Sequence, residues 1–290
     1  MMSDVKIGRD APRDGRNNRA LARIAILGLA LGSTVLSPPL ALAQRNDTAA
    51  AQPLVTDRPT DSASPVLVPQ RAFQLELGYK LSRIDSGSTH TYNRLFPDLL
   101  ARYGVNRKVE ARLIASGWTF ESGDGEGSDG FSDVSLGTKI ALAEERGRRP
   151  QMALLIDVSL PTGAPGVTND YVIPKILFLG SNALTDELGL TYNLGPSFVT
   201  AETDGEKGTN TDLNYAVALS GSIGGPFSLF GEFFGAFAFG SSLPDRHDFQ
   251  FGTTILLSPR FQIDLRAGGG LVENEPDWLV GAGLAFRLPH

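Results

Sequence analysis

The stretch AFQLELGYKLS, residues 72–82, alternates without fault: Phe73, Leu75, Leu77, Tyr79 and Leu81 fall on one side, and Gln74, Glu76, Gly78, Lys80 and Ser82 on the other. A period of two marks a strand with one apolar face. The pattern recurs down the chain. Val109, Ala111, Leu113 and Ala115 oppose Glu110, Arg112, Ile114 and Ser116, and Met152, Leu154, Ile156 and Val158 oppose Ala153, Leu155, Asp157 and Ser159. Leu188 to Leu194, Leu213 to Leu219, Phe261 to Ala267 and Val280 to Phe286 repeat it. About twelve such segments of about ten residues each follow one another, the length a tilted strand needs to cross a bilayer. No comparably long segment has helical spacing, so the expected fold is all-β: a transmembrane antiparallel up-and-down β-barrel of about 12 strands.

Soluble sandwiches and lipocalin-like barrels alternate too, so the connections and the polar face must discriminate. Long or polar connections at 85–93, 121–130, 161–170, 200–211, 240–248 and 273–277 take turns with tight ones at 104–107, 224–226 and 258–260; 144–150, of middling length, falls among the tight ones. Outer-membrane barrels show that asymmetry, with short periplasmic turns and longer outer loops. The polar face is mostly Gly, Ser, Ala, Asn and Thr with isolated charges, as in a crowded lumen, and lacks the dense Lys and Glu of a solvated exterior. Tyr103, Trp118, Phe120, Trp278 and Phe286 lie near expected strand ends, where aromatic girdles meet lipid headgroups.

The beginning of the chain has another character. Arg16, Arg19 and Arg23 precede an uncharged run from Ile24 to Leu36, Pro38 and Pro39 follow, and Ala41-Leu42-Ala43 offers small residues for cleavage. This reads as a secretory signal over 1–43, cleaved near Ala43; its apolar core is too short for a membrane anchor. Residues 44–71 hold prolines at 53, 59, 65 and 69, which forbid regular helix or central strand, and read as a periplasmic or lumen-plugging leader to the barrel at 72–290.

The 290 residues carry 26 Lys and Arg, 32 Asp and Glu, and no cysteine. Removing 1–43 takes away six basic residues (Lys6, Arg9, Arg13, Arg16, Arg19, Arg23) and three acids (Asp4, Asp10, Asp14), for a mature net charge of −9. An acidic exported chain repels nucleic acid, and the lack of cysteine excludes disulfides and cysteine metal or redox sites. With a mean hydropathy of −0.06 and no second long uncharged apolar run, a polytopic helical protein is excluded as well.

If the apolar faces meet lipid, Glu76, Lys80, Arg102, Glu110, Arg112, Asp133, Lys139, Asp157, Glu232, Asp264 and Arg266 project into the lumen. The opposite assignment would cost about 2 to 4 kcal/mol for each Arg or Lys at the midplane. These charges either sort solutes at a constriction or pair with one another and close the barrel. Leu155, Leu177, Leu179, Phe230 and Phe234 fall on the same side, suiting an apolar permeant, although Pro174 disturbs the register there. Asp57 and Arg58 lie close enough to the first strand to fold into the lumen as a plug.

Enzyme chemistry finds little support. The three histidines, His90, His247 and His290, fall in expected loops or at the terminus without metal or triad spacing. His247 with Ser241, Ser242, Asp245 and Asp248 is the one group from which a barrel lipase could be assembled. Asp124, Glu126, Ser128 and Asp129 offer oxygens for calcium, but the twelfth position counted from Asp124 is Ser135 where an EF-hand needs glutamate. No metal and no cofactor is expected.

Thr56-Asp57-Arg58-Pro59 followed by Phe73 to Tyr79, Tyr103-Gly104 with Glu110, Phe131 to Gly137 with Lys139, Leu160-Pro161-Thr162-Gly163, and Pro276-Asp277-Trp278 through Gly283 stand in an order that resembles the family of outer-membrane transporters named after the meta pathway of phenol degradation. The chain departs from that pattern at Thr60-Asp61-Ser62, where the family often has an acidic-aromatic pair. It also ends four residues past Phe286, where a terminal aromatic helps the barrel-insertion machinery. The resemblance implies an outer-membrane β-barrel of a Gram-negative bacterium that passes small solutes, hydrophobic or aromatic ones included, with outer-membrane lipids and the insertion machinery as partners. A barrel-embedded lipid-modifying enzyme, a closed structural barrel and a soluble periplasmic β protein are the alternatives.

Overall fold

The computed structural model describes residues 52–87, 89–123, 128–203, 206–239, 244–273 and 275–288. The expected signal peptide, its cleavage site and His290 lie outside them. Fourteen strands form one sheet: β1 Phe73–Ser86, β2 Thr89–Gly104, β3 Val109–Ala115, β4 Trp118–Gly123, β5 Asp129–Phe131, β6 Val134–Ala143, β7 Gln151–Leu160, β8 Ile173–Ala183, β9 Leu188–Thr203, β10 Glu206–Gly224, β11 Phe227–Phe239, β12 Arg246–Ser258, β13 Phe261–Gly270 and β14 Trp278–Leu288. All pairings are antiparallel between neighbours, and β1 closes the sheet by pairing with both β14 and β2.

Fourteen strands make a wall of twelve staves, the number expected. β2 pairs with β3 over Leu99–Gly104 and with β4 over Thr91–Phe96, so β3 and β4 are one stave interrupted at 116–117. Pro97 has no N–H to give the ladder at that height, and Gly117 (φ +41°) makes the jog in a backbone region that disfavours side chains. β5 and β6 form the next stave, interrupted at 132–133.

The pleat sorts the side chains as the alternation requires. Gln74, Glu76, Arg102, Glu110, Lys139, Gln250 and Asp264 point inward and are buried, while Phe233, Phe251 and Leu265 on the outside are 57%, 57% and 53% exposed. A water-soluble protein does the reverse; this exterior suits hydrocarbon. Leu155, Leu177, Leu179 and Phe230 are buried inward, so the register near Pro174 holds. Pro174 sits second in β8, where a missing N–H disturbs the ladder least.

Three local expectations need correction. The polar stretches 85–93 and 200–211 are largely strand, paired as far as Ser86 with Thr89 and Thr203 with Glu206. Backbone pairing continues there without the two-residue period, because neither face of these hairpin ends is sorted between lipid and lumen. Trp118 is not at a membrane rim; it opens β4 opposite Phe96, near mid-height, and packs edge-on to Phe131 at 4.8 Å. His247 is in β12, not in a loop.

Candidate functional site: an occupied lumen

An irregular chain can be buried only if its N–H and C=O groups find partners. Residues 52–71 run through the barrel, and the wall supplies those partners. The leader starts beside the short β12–β13 turn, where Leu54 N donates to Pro259 O (3.0 Å). Val55 O accepts from Gln74 Nε2 (2.9 Å) and Arg102 (3.2 Å). The N–H groups of Asp57 and Arg58 then donate to the Glu76 carboxylate at 3.0 and 2.9 Å.

The tip follows. Pro59 O accepts from Arg266 (2.8 Å), the N–H groups of Asp61 and Ser62 donate to Glu232 (2.9 and 2.7 Å), and Asn193 bonds both faces of Ala63 (2.7 and 2.9 Å). On the way back Ser64 O accepts from Lys139 (2.7 Å), Val66 O from Arg102 (3.0 Å), and Val68 N donates to Glu110 (2.7 Å). The leader leaves at the end it entered, Arg71 N donating to Gly104 O (2.6 Å).

Side chains lock this loop at its centre. The Asp57 carboxylate accepts from Arg112 (2.5 Å), Lys139 (3.0 Å) and Ser64 N (3.0 Å), with Arg102 at 3.5 Å. Burial opposes its charge, but Arg102, Lys139 and Arg112 outweigh that and hold the carboxyl well below the usual range. Arg102 is itself clamped, with Glu110 at 2.8 and 2.9 Å and Glu76 at 3.0 Å. Arg58 reaches Asp98 (2.6 Å) and stands 3.7 Å from Asp264. Its guanidinium lies over Gly78 and Gly283, a cross-strand pair of β1 and β14 on which any β-carbon would intrude.

The opposite wall is apolar. Ala63, supported by Leu67, packs on Ala153, Leu155, Leu177 and Leu179, so those inward residues face the leader. Every stave contributes a buried inward residue at this level, for instance Glu76, Arg102, Glu110, Lys139, Leu155, Leu179, Asn193, Ala218, Glu232, Gln250, Asp264 and Ala285 in order around the ring.

The inward set expected from sequence therefore meets mostly leader. Glu76, Arg102, Glu110, Arg112, Lys139, Glu232, Asp264 and Arg266 contact it directly, and Asp57 and Arg58 are its most heavily bonded residues. Asp157 stands 3.8 Å from Arg112 and lines the gap between tip and wall. Lys80 lines the cavities above the tip. Asp133 is off the strands, in the β5–β6 interruption, where it accepts from Gly163 N (2.8 Å) and Asn169 N (2.9 Å). It tethers the β7–β8 connection beside the mouth, so its main contacts are with a loop and not with a pore.

Asp98 was missed because Pro97 hides β2 in the sequence, and the paired glycines because alternation gives them no signal. Of the lipase group, the described residues place His247 and Asp248 on opposite faces of the wall. His247 faces outward, 3.0 Å from Tyr215 Oη and edge-on to Phe237, while Asp248 points into the lumen; Ser241 and Ser242 lie outside the described residues. Asp124 and Glu126 of the calcium reading also lie outside them.

A model of the family described as "Putative MetA-pathway of phenol degradation" matches residues 56–288. No curated protein matches the chain. Among solved structures it is similar in fold to the COG4313 outer membrane channel from Pseudomonas putida F1, with 10% identity and a TM-score of 0.67 over 79% of this chain and 100% of that one. More distant similarities include the NanC porin (11% identity, TM-score 0.49, 75% and 100% covered) and the CymD monoaromatic hydrocarbon channel (11%, 0.41, 76% and 90%).

Proposed function

The chain belongs to the family described by the putative MetA pathway of phenol degradation, and from that premise we propose that it is an outer-membrane channel for small solutes with a hydrophobic body, gated by its own leader. The solutes include aromatic ones. The observation that carries the reading is the division of the lumen at the leader tip.

Below the tip, leader and wall meet through hydrogen bonds, ion pairs and apolar contact, and every side chain named in the ring is buried. Above it are cavities of about 450 and 620 Å³, both lined by Asn169 of the β7–β8 connection and the larger also by Glu273 and Glu275 of the β13–β14 connection. Ile114, Ile173 and Val199 give the larger one apolar surface among polar groups, the mixture of a site that holds and orients a small organic molecule. Passage to the other side needs the leader to move. Glu76, Arg102, Glu110, Arg112, Lys139 and Glu232 thus act as the docking ring of the gate; Lys80 and Asp157, with Arg266, stay beside the open space and bear on selectivity.

Planar-bilayer conductance of the protein with and without residues 44–70 tests this. The full chain is expected to conduct weakly and the truncated one several times more, with liposome swelling by small aromatic solutes rising in parallel. An unchanged conductance would sink the gate. The absence of solute passage in both forms would favour a closed structural barrel, a reading to which the tightly buried ring lends its own support.

A further inference from the structure

Just above the tip a cavity of about 280 Å³ has an apolar lining from Leu177, Phe234 and Leu279 and receives three carboxylates, from Asp61, Asp248 and Glu275. Asp248 is the unusual one. It is only 6% exposed, and its Oδ1 has no hydrogen-bond partner. Among its buried inward counterparts, Glu76 and Glu110 are answered by Arg102 and Glu232 by the leader's N–H groups; Asp157, Asp212 and Asp264 also leave oxygens without a hydrogen bond, but each has a guanidinium within 4 Å, from Arg112, Arg246 and Arg58. A buried carboxylate without a donor is costly unless something supplies one.

The wall supplies none. Among the described residues no salt bridge reaches Asp248 or Glu275. Arg246 is turned to Asp212 (3.4 Å) and Arg266 to Pro59 O and Asp61. Lys80 and Lys175 line the same cavity half-exposed to its water, so they lack the desolvation that makes Asp248 demand a partner. No group of three His, Asp or Glu among the described residues is disposed to hold a metal ion, and the apolar side of the cavity would be wasted on one.

We propose that this cavity binds small amphipathic amines, the ammonium donating to Asp248 with Glu275 as its second carboxylate, and the aromatic or aliphatic body lying on Phe234, Leu177 and Leu279. This rests on the channel reading and narrows its permeant class. An ammonium group gives Asp248 a charge-assisted hydrogen bond. A hydrocarbon or alcohol of the same shape leaves it unanswered or half-answered, and a site with a buried polar group discriminates strongly on that basis.

Three congeners with one aromatic body make the test: 2-phenylethylammonium, 2-phenylethanol and phenylacetate, titrated calorimetrically into the purified full chain in detergent micelles. The ammonium is expected to bind at least about tenfold tighter than the other two. Asp248→Asn should erase that preference, with heat-modifiable electrophoretic mobility confirming a closed barrel. Glu275→Gln, in a connection outside the strands, should reduce it several-fold without touching the wall. Equal binding of the three, a preference for phenylacetate (which would give the cavity to Lys80 and Lys175), or an ammonium preference that survives Asp248→Asn each overturns the proposal. Micellar binding involves no transport, so a preserved ammonium preference without conductance would refute the channel alone, and conductance without the preference would refute this site alone.

Discussion

Lys139 Nζ, on β6, stands 3.0 Å from the carboxylate of Asp57, a residue sixteen places ahead of the first strand. A wall cation thus takes its counter-ion from the leader. Arg112 and Arg102 share the same carboxylate, so three buried wall cations converge on one leader residue.

Asp57→Asn should therefore undock the leader without unfolding the barrel. Removing one member of a buried ionic group costs about 3 to 5 kcal/mol, because the remaining charges stay desolvated. That corresponds to a shift on the order of a hundredfold or more in the docking equilibrium. Thermolysin, which cuts before apolar residues, is expected to cleave the variant at Leu54, Val66 or Leu67 while leaving the wild-type leader intact. Equal protection in both would show that Asp57 is not the anchor.

The same carboxylate sets an acid limit. Its pKa is lowered from 3.8 when the leader is docked, so its contribution is complete above the undocked value and is lost as pH falls through the depressed one. Conductance through Asp57 is thus expected to stay flat from about pH 8 to about pH 4 and to rise only in stronger acid. The Asp57→Asn variant should show no such acid limb. A rise centred near neutral pH in the wild type would point to another group as the latch.

Gly78→Ala probes docking without altering charge. The added methyl would occupy the place of the Arg58 guanidinium, forcing it from Asp98 and Asp264. Strand β1 itself tolerates alanine, so barrel melting should change little while leader protection falls. Arg58→Ala in the same background should restore no protection but remove any further effect of the methyl. A drop in barrel melting as large as the loss of protection would mean that Gly78 serves the wall, not the leader.

How far these features could be read ahead depends on what orders the side chains. Where one face meets lipid and the other the lumen, period two is enforced; Leu75 against Glu76 and Leu113 against Arg112 declare the wall at once. Above the apolar band nothing enforces it, which is why the hairpin ends near His90 and Thr209 read as loops. The leader has no periodicity at all. Asp57 and Arg58 could be suspected from charge and proximity, but their partners were hidden: Asp98 behind Pro97, and the bed of Arg58 in two glycines whose only signal is a missing side chain. The inward charges were found by residue, and most meet chain instead of water because the tip returns through the barrel, a path written in no local pattern.

The claim beneath all of this is which side of the sheet meets hydrocarbon, and neighbouring residues on β3 test it. Leu113 points outward and is 39% exposed, whereas Ile114 lines the cavities on the other side. Leu113→Arg should destabilise the barrel by about 2 to 4 kcal/mol in equilibrium unfolding from phospholipid vesicles, because the guanidinium must enter the acyl region or drag water after it. Ile114→Arg places the same group among Asp157 and lumen water, so its cost should be a small fraction of that. In detergent the difference should shrink, since a micelle deforms around a charge more readily than a bilayer does. Equal costs at the two positions, or a larger one at Ile114, would mean that the apolar flank packs against protein, and the lipid-facing assignment of every stave would fall with it.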